Sequence, residues 1–307
     1  MRAEKKKKKS WIKIVFISLL ILFLAVGTYA FTVYRSLTST VDKMHQPLDR
    51  DKSEKRDEKV TLKKQQPFSV LMLGVDERKG DRGRSDSMIV LTVNPNNKSV
   101  KMLSIPRDTR TEIVGRGKED KINHAYAFGG VEMAMNTVEH FLDIPIDYYV
   151  QINMEGFKDI VDAVGGVKVT NTLDFTYEGE HFPKGEINLN GETALKFSRM
   201  RYEDPRGDFG RQTRQRQIIQ AVINRGASFQ SITNFGDIFG ALGKNVRTNL
   251  TFEEMVEIQK NYKAAGKDVQ QLELKGSGTK INKIYYYIVP NEVRQSIQNE
   301  LKTQLKL

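Results

Sequence analysis

One stretch near the N-terminus limits every architecture open to this chain. Residues Ile14 to Tyr34 carry no charge and consist mainly of Ile, Leu, Val and Phe. A helix of roughly 20 residues at about 1.5 Å rise per residue spans about 30 Å, the thickness of a bilayer's hydrocarbon core. Arg2, Lys5 to Lys9 and Lys13 precede the stretch against only Glu4, whereas the nearest cations after it are Arg35 and Lys43. Positive charge on the leading side predicts a cytoplasmic N-terminus, with everything beyond about residue 35 outside the cell. A cleaved signal peptide is the competing reading. Its apolar region would run about 7–15 residues, shorter than this one, and Thr28-Tyr29-Ala30 makes a poor cleavage site. The expected organisation is a basic cytoplasmic tail (1–13), one transmembrane helix (14–34), an extracytoplasmic stalk (35–66) and a domain (67–307), in a single-pass cell-membrane protein.

The net charge of +11 comes mostly from the tail and stalk, and residues 67–307 carry only about +2. The high pI is therefore an anchor flank and a linker, and it argues against a nucleic-acid partner. The chain has no cysteine, which excludes disulfides, thiolate catalysis and zinc–thiolate sites. A domain of about 240 residues can bury enough core to fold without disulfides.

Within the domain, Phe68–Val75, Ser87–Val93 and Ser99–Ile105 are short apolar runs ended by Gly, Asn or Pro, and they read as strands, as do Tyr148–Ile152, Val167–Thr170 and Ile284–Val289. Helical spacing marks Val131–Leu142, Met154–Val164, Phe209–Asn224 and Asn291–Leu305. Asn190 and Thr251 stand where N-caps belong, the latter followed by Glu253 and Glu254. Strands alternating with helices predict a three-layer α-β-α domain with a mixed central sheet.

Three concentrations of chemistry fall in this frame. Six arginines (Arg199, Arg201, Arg206, Arg211, Arg214, Arg216) lie within eighteen residues, with Asp204 and Asp208 among them. Arginine's planar fork matches phosphate oxygens two at a time and stays charged in a dry pocket. The segment reads either as a pyrophosphate clamp or as a solvated, salt-bridged helix face. The loop from Gly74 to Ser87 mixes Gly, Arg and Asp, with Asp76 ending one strand and Asp86 beginning the next. Two such carboxylates suit magnesium completed by phosphate oxygens and water; a salt-bridged surface loop is the alternative, and the spacing fits neither a Walker A loop nor an EF-hand. In Ser104-Ile-Pro-Arg107-Asp108 the arginine sits just past a strand end, where α/β proteins place ligands. Lys121-Ile-Asn123-His124 follows; its lone His has no second His at metal-binding spacing.

These pieces together resemble the LytR-CpsA-Psr family of bacterial cell-wall proteins. The residues carrying the resemblance are Gly74-Val-Asp-Glu-Arg78, Arg84-Ser-Asp-Ser87, Ser104-Ile-Pro-Arg-Asp108, Lys121-Ile-Asn-His124 with Gly129-Gly130, Val161-Asp-Ala-Val-Gly-Gly-Val167, Leu189-Asn-Gly191 with Ala194-Leu195, Arg199-x-Arg201, and Asp208-x-Gly-Arg211 to Gln215. They cover about residues 67–227 in the family's order, and the chain looks most like the Gram-positive wall teichoic acid members. The resemblance implies transfer of an anionic glycopolymer from an undecaprenyl pyrophosphate carrier to a muramic acid hydroxyl of peptidoglycan, releasing undecaprenyl phosphate. It carries over Arg107, Arg199, Arg201, Asp208 and Arg211 as catalytic, Arg84 with them in clamping the pyrophosphate, and Lys121, Asn123, Gln215 and Arg214 as further substrate contacts. Asp76 and Asp86 match Mg²⁺ ligands, with Asp81 competing. Asp208 is either a base for the attacking hydroxyl or a partner that orients an arginine. Two other classes stay open: a lipid-pyrophosphate pyrophosphatase using water, and a non-catalytic envelope regulator or polymer-binding protein.

Overall fold

The computed structural model describes residues 2–76, 83–226, 243 and 245–307. The apolar run that opens the domain becomes the middle of a sheet: β1 (Phe68–Val75) lies antiparallel to β2 (Ser85–Asn94) and parallel to β6 (Tyr148–Ile152). β3 (Ser99–Ile105) lies antiparallel to β2 and parallel to β12 (Val269–Glu273), while β11 (Val246–Thr248) pairs antiparallel with β6. The order β11-β6-β1-β2-β3-β12 is the expected mixed sheet. The parallel β1–β6 pair needs a crossover, and α2 (His124–Leu142) supplies it.

Strand alternation sorts the core into layers. Leu71, Leu73, Val75, Val90 and Leu103 face one way and meet Met135, Val138 and Phe141 of α2 and Ile297 and Leu301 of α7 (Asn291–Leu305). Phe68, Val70, Val93 and Tyr148 face the other way, toward Leu250, Tyr262 and the flank of α6 (Phe252–Asn261). On this second side a separate cluster binds α3 (Met154–Ala163), β7 (Val167–Asn171), α4 (Gly191–Arg199) and α5 (Asp208–Gly226). Phe175, Phe182 and Phe197 lie at its centre, with ring centroids 4.9–5.8 Å apart. Helices thus cover both faces of the sheet, the three-layer arrangement expected.

Local signals act as read. Asn190 caps α4 in a reciprocal box with Thr193, and Thr251 caps α6 in one with Glu254. α2 starts at His124 rather than Val131 because a first segment precedes a kink, where Gly129 and Gly130 leave helical geometry. Short hairpins add to the expected elements: β4 (Arg110–Ile113) with β5 (Lys118–Lys121), β8 (Phe175–Tyr177) with β9 (Glu180–Phe182), and β13 (Ser277–Ile281) with β14 (Ile284–Ile288). β10 (Gly185–Leu189) pairs with β7.

The N-terminal region keeps the expected apolar helix and differs from the expected stalk. α1 runs unbroken from Arg2 to Met44 and contains the apolar segment, a membrane-span candidate by length and composition. Residues 45–66 lie on the domain instead of standing free. Gln46 N donates to Thr248 O at 2.7 Å, and Val41, Met44 and Leu62 are buried. Arg50 makes a two-bond fork with the buried Glu139 (2.7 and 3.0 Å). Arg56 forks onto Asp147 (3.0 and 2.8 Å), which also accepts Ser69 N at 2.9 Å. The charges that make this stretch look solvated are partners for carboxylates buried in the domain. Arg56→Ala would strand the Asp147 carboxylate, so it should lower unfolding stability by about 3 kcal/mol. Urea denaturation of the variant checks this, and a change below about 0.5 kcal/mol, the range of surface pairs, would restore the free stalk.

Candidate active site

The layer of α3, α4 and α5 covers the C-terminal ends of β1 and β6, leaving a cleft of about 450 Å³ between helices and sheet. Its inner walls are apolar: Met72, Ile89 and Ile152 from the sheet, and Phe157, Leu195 and Ile219 from the helices. Its outer end is polar and charged, with Asp76, Asp86, Arg107, Arg199, Arg201 and Arg211. Between the two, Ser87 Oγ donates to Gln215 Oε1 at 2.8 Å and ties β2 to α5. Gly74, opposite Ser87 in the ladder, permits this approach, since a Cβ there would lie 2.9 Å from Ser87 Cβ.

Each charged group reaches the cleft from a different element. Asp76 follows β1, Asp86 lies on β2, and Arg107 follows β3. Arg107 Nη1 donates to Asp86 Oδ1 at 2.7 Å. Burial works against the Arg107 charge, but the hydrogen bond and charge of Asp86 outweigh it and hold its proton more tightly than usual. Arg211, in the first turn of α5, pairs with Asp208 at 2.7 Å and donates to Asp86 O at 3.2 Å. Its Nε is buried and has no hydrogen-bond acceptor among the described residues. Burial lowers the Arg211 pKa; Asp208 opposes this, while Arg107 and Arg201 add repulsion. Arg199 ends α4 within 3.4 Å of Glu178. Arg201 lies 4.4 Å from the Tyr202 ring centroid and donates to its hydroxyl. A partly dry arginine with an unmet donor, crowded by like charge, favours an anionic ligand.

Other expected contacts stand elsewhere. Arg214 does not reach the cleft. It is 3% exposed, donates from Nε to Phe197 O (3.0 Å) and from Nη1 to Asp204 Oδ2 (2.6 Å), and also bonds Met200 O. Helix periodicity turns it toward α4, about a quarter-turn from the mean direction of the cleft-facing Arg211 and Gln215. Arg206 joins Asp204, and Arg216 binds Gln271 Oε1 at 2.9 Å, so half of the arginine cluster is structural. Lys121 pairs with Asp108 at 2.6 Å, and Asn123 N donates to Arg107 O at 3.3 Å. Both lie behind Arg107 and brace its loop rather than lining the cleft. Arg84 is exposed and does not line it, while Arg78 and Asp81 lie outside the described residues. Asp208 lines a neighbouring cleft; its Oδ2 accepts from Gln212, and its Oδ1 faces Arg211 at 2.7 Å as an ion pair without a hydrogen bond among the described residues. Tyr202 and the apolar wall went unread in the sequence. The wall residues look like core, and Tyr202 was hidden among arginines.

Asp76 and Asp86 are the acidic residues of the cleft. Among the described residues no group of three or more His, Asp or Glu could hold a metal. Two carboxylates beside these arginines fit a magnesium ion whose remaining ligands are ligand oxygens and water. They do not form a cage by themselves.

A profile of the LytR_cpsA_psr family matches residues 31–303. The chain is 55% identical over 306 residues to the polyisoprenyl-teichoic acid–peptidoglycan teichoic acid transferase TagU of Bacillus licheniformis, covering 99% of each. It is 53% identical over 307 residues to TagU of Bacillus subtilis, covering 100% of each. The crystal structure of B. subtilis TagU superposes with a TM-score of 0.64 at 53% identity, over 78% of this chain and 97% of that one. TagT with bound octaprenyl pyrophosphate lipid superposes with a TM-score of 0.72 at 32% identity, over 86% and 100%.

The geometry separates the arginines experimentally. Arg201→Lys keeps the charge and loses the fork, so it should weaken binding of inorganic pyrophosphate about tenfold without moving the unfolding midpoint. Arg214→Lys should instead lower unfolding stability by about 2 kcal/mol through lost buried bonds. Titration calorimetry and melting of both variants check this; wild-type affinity in Arg201→Lys would return Arg201 to a solvated face.

Proposed function

The chain belongs to the LytR-CpsA-Psr family, and on that premise we propose that it is a transferase moving an anionic glycopolymer, wall teichoic acid, from an undecaprenyl pyrophosphate carrier to a muramic acid hydroxyl of peptidoglycan. One observation carries the reading: Arg107, Arg199, Arg201 and Arg211 converge at the polar mouth of a cleft whose interior is apolar. Such a cleft suits a molecule that is hydrocarbon at one end and pyrophosphate at the other. The names of the TagU relatives and the lipid bound to TagT support it.

The apolar walls take the polyisoprenyl chain, and the arginines neutralise the pyrophosphate oxygens. The acceptor oxygen attacks the phosphorus that bears the polymer. A new P–O bond forms, the bridging P–O bond breaks, the electron pair leaves on the lipid phosphate, and the hydroxyl proton passes to solvent or phosphate. The transition state is loose and places little demand on a base, so charge neutralisation and positioning carry most of the rate. Asp208 then acts by positioning Arg211, a role favoured by its 2.7 Å ion pair with that residue. Asp76 and Asp86 would hold Mg²⁺, which supplies further neutralisation of the phosphate oxygens when bound. Asp86 also steers Arg107 at 2.7 Å.

A lipid-pyrophosphate donor, a peptidoglycan oligomer and the full chain should give a polymer–peptidoglycan phosphodiester and lipid monophosphate, resolved by mass. Free polymer phosphate in their place would make the protein a pyrophosphatase. Asp86→Ala should cut transfer at least about a hundredfold, and excess chelator should act alike; full activity under chelation would remove the metal from the reading.

Location follows from the flanking charge. The basic residues before the apolar segment support a cytoplasmic N-terminus and an extracellular domain. Protease added to intact protoplasts should digest the domain, and a protected C-terminal tag would reverse the orientation.

A further inference from the structure

A second cleft, of about 400 Å³, lies across Arg201 and Tyr202 from the first. Its walls include Asp108, Asp208, Phe209, Tyr285 and Tyr287. Two of its aromatic rings are left in solvent, Tyr202 at 86% exposure and Tyr285 at 45%. Isolated aromatics on a surface need no explanation, but these two flank one cleft beside two carboxylates.

The cleft is built rather than accidental. Tyr287 is buried; its hydroxyl donates to Leu274 O at 3.0 Å, and its ring lies 5.4 Å from Phe209. Tyr287 N donates to Asp108 O at 2.8 Å. These contacts fasten the β13–β14 hairpin both to the loop that carries Arg107 and to the residue beside Asp208. Tyr285 lies over Gly278, where a Cβ would come within 2.5 Å of its hydroxyl oxygen. The absence of a side chain at Gly278 therefore gives the Tyr285 ring its seat.

Flat ring faces beside carboxylates match a pyranose. Its C–H faces stack on aromatic rings, and its hydroxyls donate to carboxylate oxygens. We propose that this second cleft is the acceptor subsite, binding a pyranose unit of a glycan strand against Tyr285 and Tyr202. The proposal rests on the transferase reading above. Two saccharides could supply the same chemistry, the donor's first sugar and the acceptor. Position favours the acceptor. With the lipid along the apolar walls, its phosphate leaves inward, and in-line attack must then come from the opposite side of the arginines. The second cleft adjoins that mouth, sharing Arg201 and Tyr202 with the first.

The test uses the full chain in detergent, with a peptidoglycan glycan oligomer stripped of stem peptides as the probe. Saturation-transfer NMR titration should show Tyr285→Ala weakening glycan binding about tenfold, Tyr285→Phe keeping it, and inorganic pyrophosphate affinity unchanged in both. In steady-state transfer, Tyr285→Ala should raise the acceptor KM about tenfold with kcat and the donor KM unchanged. Wild-type glycan affinity in Tyr285→Ala would overturn the proposal, and so would equal losses in the Phe and Ala variants. A rise in the donor KM alone would overturn it too, assigning the cleft to the donor's sugar. Glycan binding that depends on Tyr285, in a chain that forms no phosphodiester, would support the glycan subsite while defeating the transferase reading.

Discussion

The arginine mouth depends on one buried ion pair, Arg214 with Asp204. Asp204 lies in the turn between α4 and α5, and Arg214 lies on α5. Arg214 bonds Asp204 and the carbonyls of Phe197 and Met200 at the C-terminal end of α4, so a cation closes that helix where its dipole is negative. Gly210 lets the helix approach, because a Cβ there would lie 1.8 Å from Asp204 Oδ2. A buried pair of this kind adds little net stability over an apolar replacement. Its effect is geometric. It fixes the end of α4, which carries Arg199 and leads to Arg201, against the first turn of α5, which carries Arg211. Arg214 keeps its charge there despite burial, with Asp204 opposing the loss.

That geometry holds cations closer together than they would choose. Arg107 and Arg211 repel each other, and Asp86 and Asp208 offset the repulsion. The compensation is incomplete at Arg211, whose Nε is left without an acceptor among the described residues. A phosphate oxygen arriving at the mouth meets donors already held in place, with Arg211 already largely desolvated. Such preorganisation lets few groups contribute much to phosphoryl transfer.

Much of the fold was legible because its signals are local. Alternation in Phe68–Val75 and Ser99–Ile105, the caps at Asn190 and Thr251, and the turn after Val164 each act within a few residues. The β4–β5 hairpin was not legible. Lys118-Glu-Asp-Lys121 has no apolar residue, and it becomes a strand only by pairing with Arg110–Ile113, whose Thr111 and Ile113 are buried. The site was half legible. Arg107, Arg199, Arg201 and Arg211 carry a composition that few other roles require. Nothing in composition separates them from Arg214, because the distinction is a phase on a helix and the presence of Asp204. The stalk was misread for a related reason: Arg50 and Arg56 look solvated until Glu139 and Asp147, some 90 positions away in sequence, are brought to them.

The same docking places the apolar wall beside the N-terminal helix. His45, just past α1, bridges Thr248 on β11, β11 pairs with β6, and β6 ends at Ile152 in the cleft wall. Tyr34 of α1 meets Phe252 of α6 edge-on, with ring centroids 5.6 Å apart. A single strand, β11, thus separates the chain leaving α1 at His45 from β6, whose Ile152 lines the apolar part of the cleft. A lipid-linked donor is amphipathic in the same sense as the cleft, and the chain presents both polarities in register. The apolar side is tethered through β11 to the helix, and the arginine mouth is held by α5 and the Arg107 loop. Under the transferase reading, this arrangement spares the polyisoprenyl chain a passage across the charged mouth, where desolvating the arginines with hydrocarbon would cost more than any contact returns.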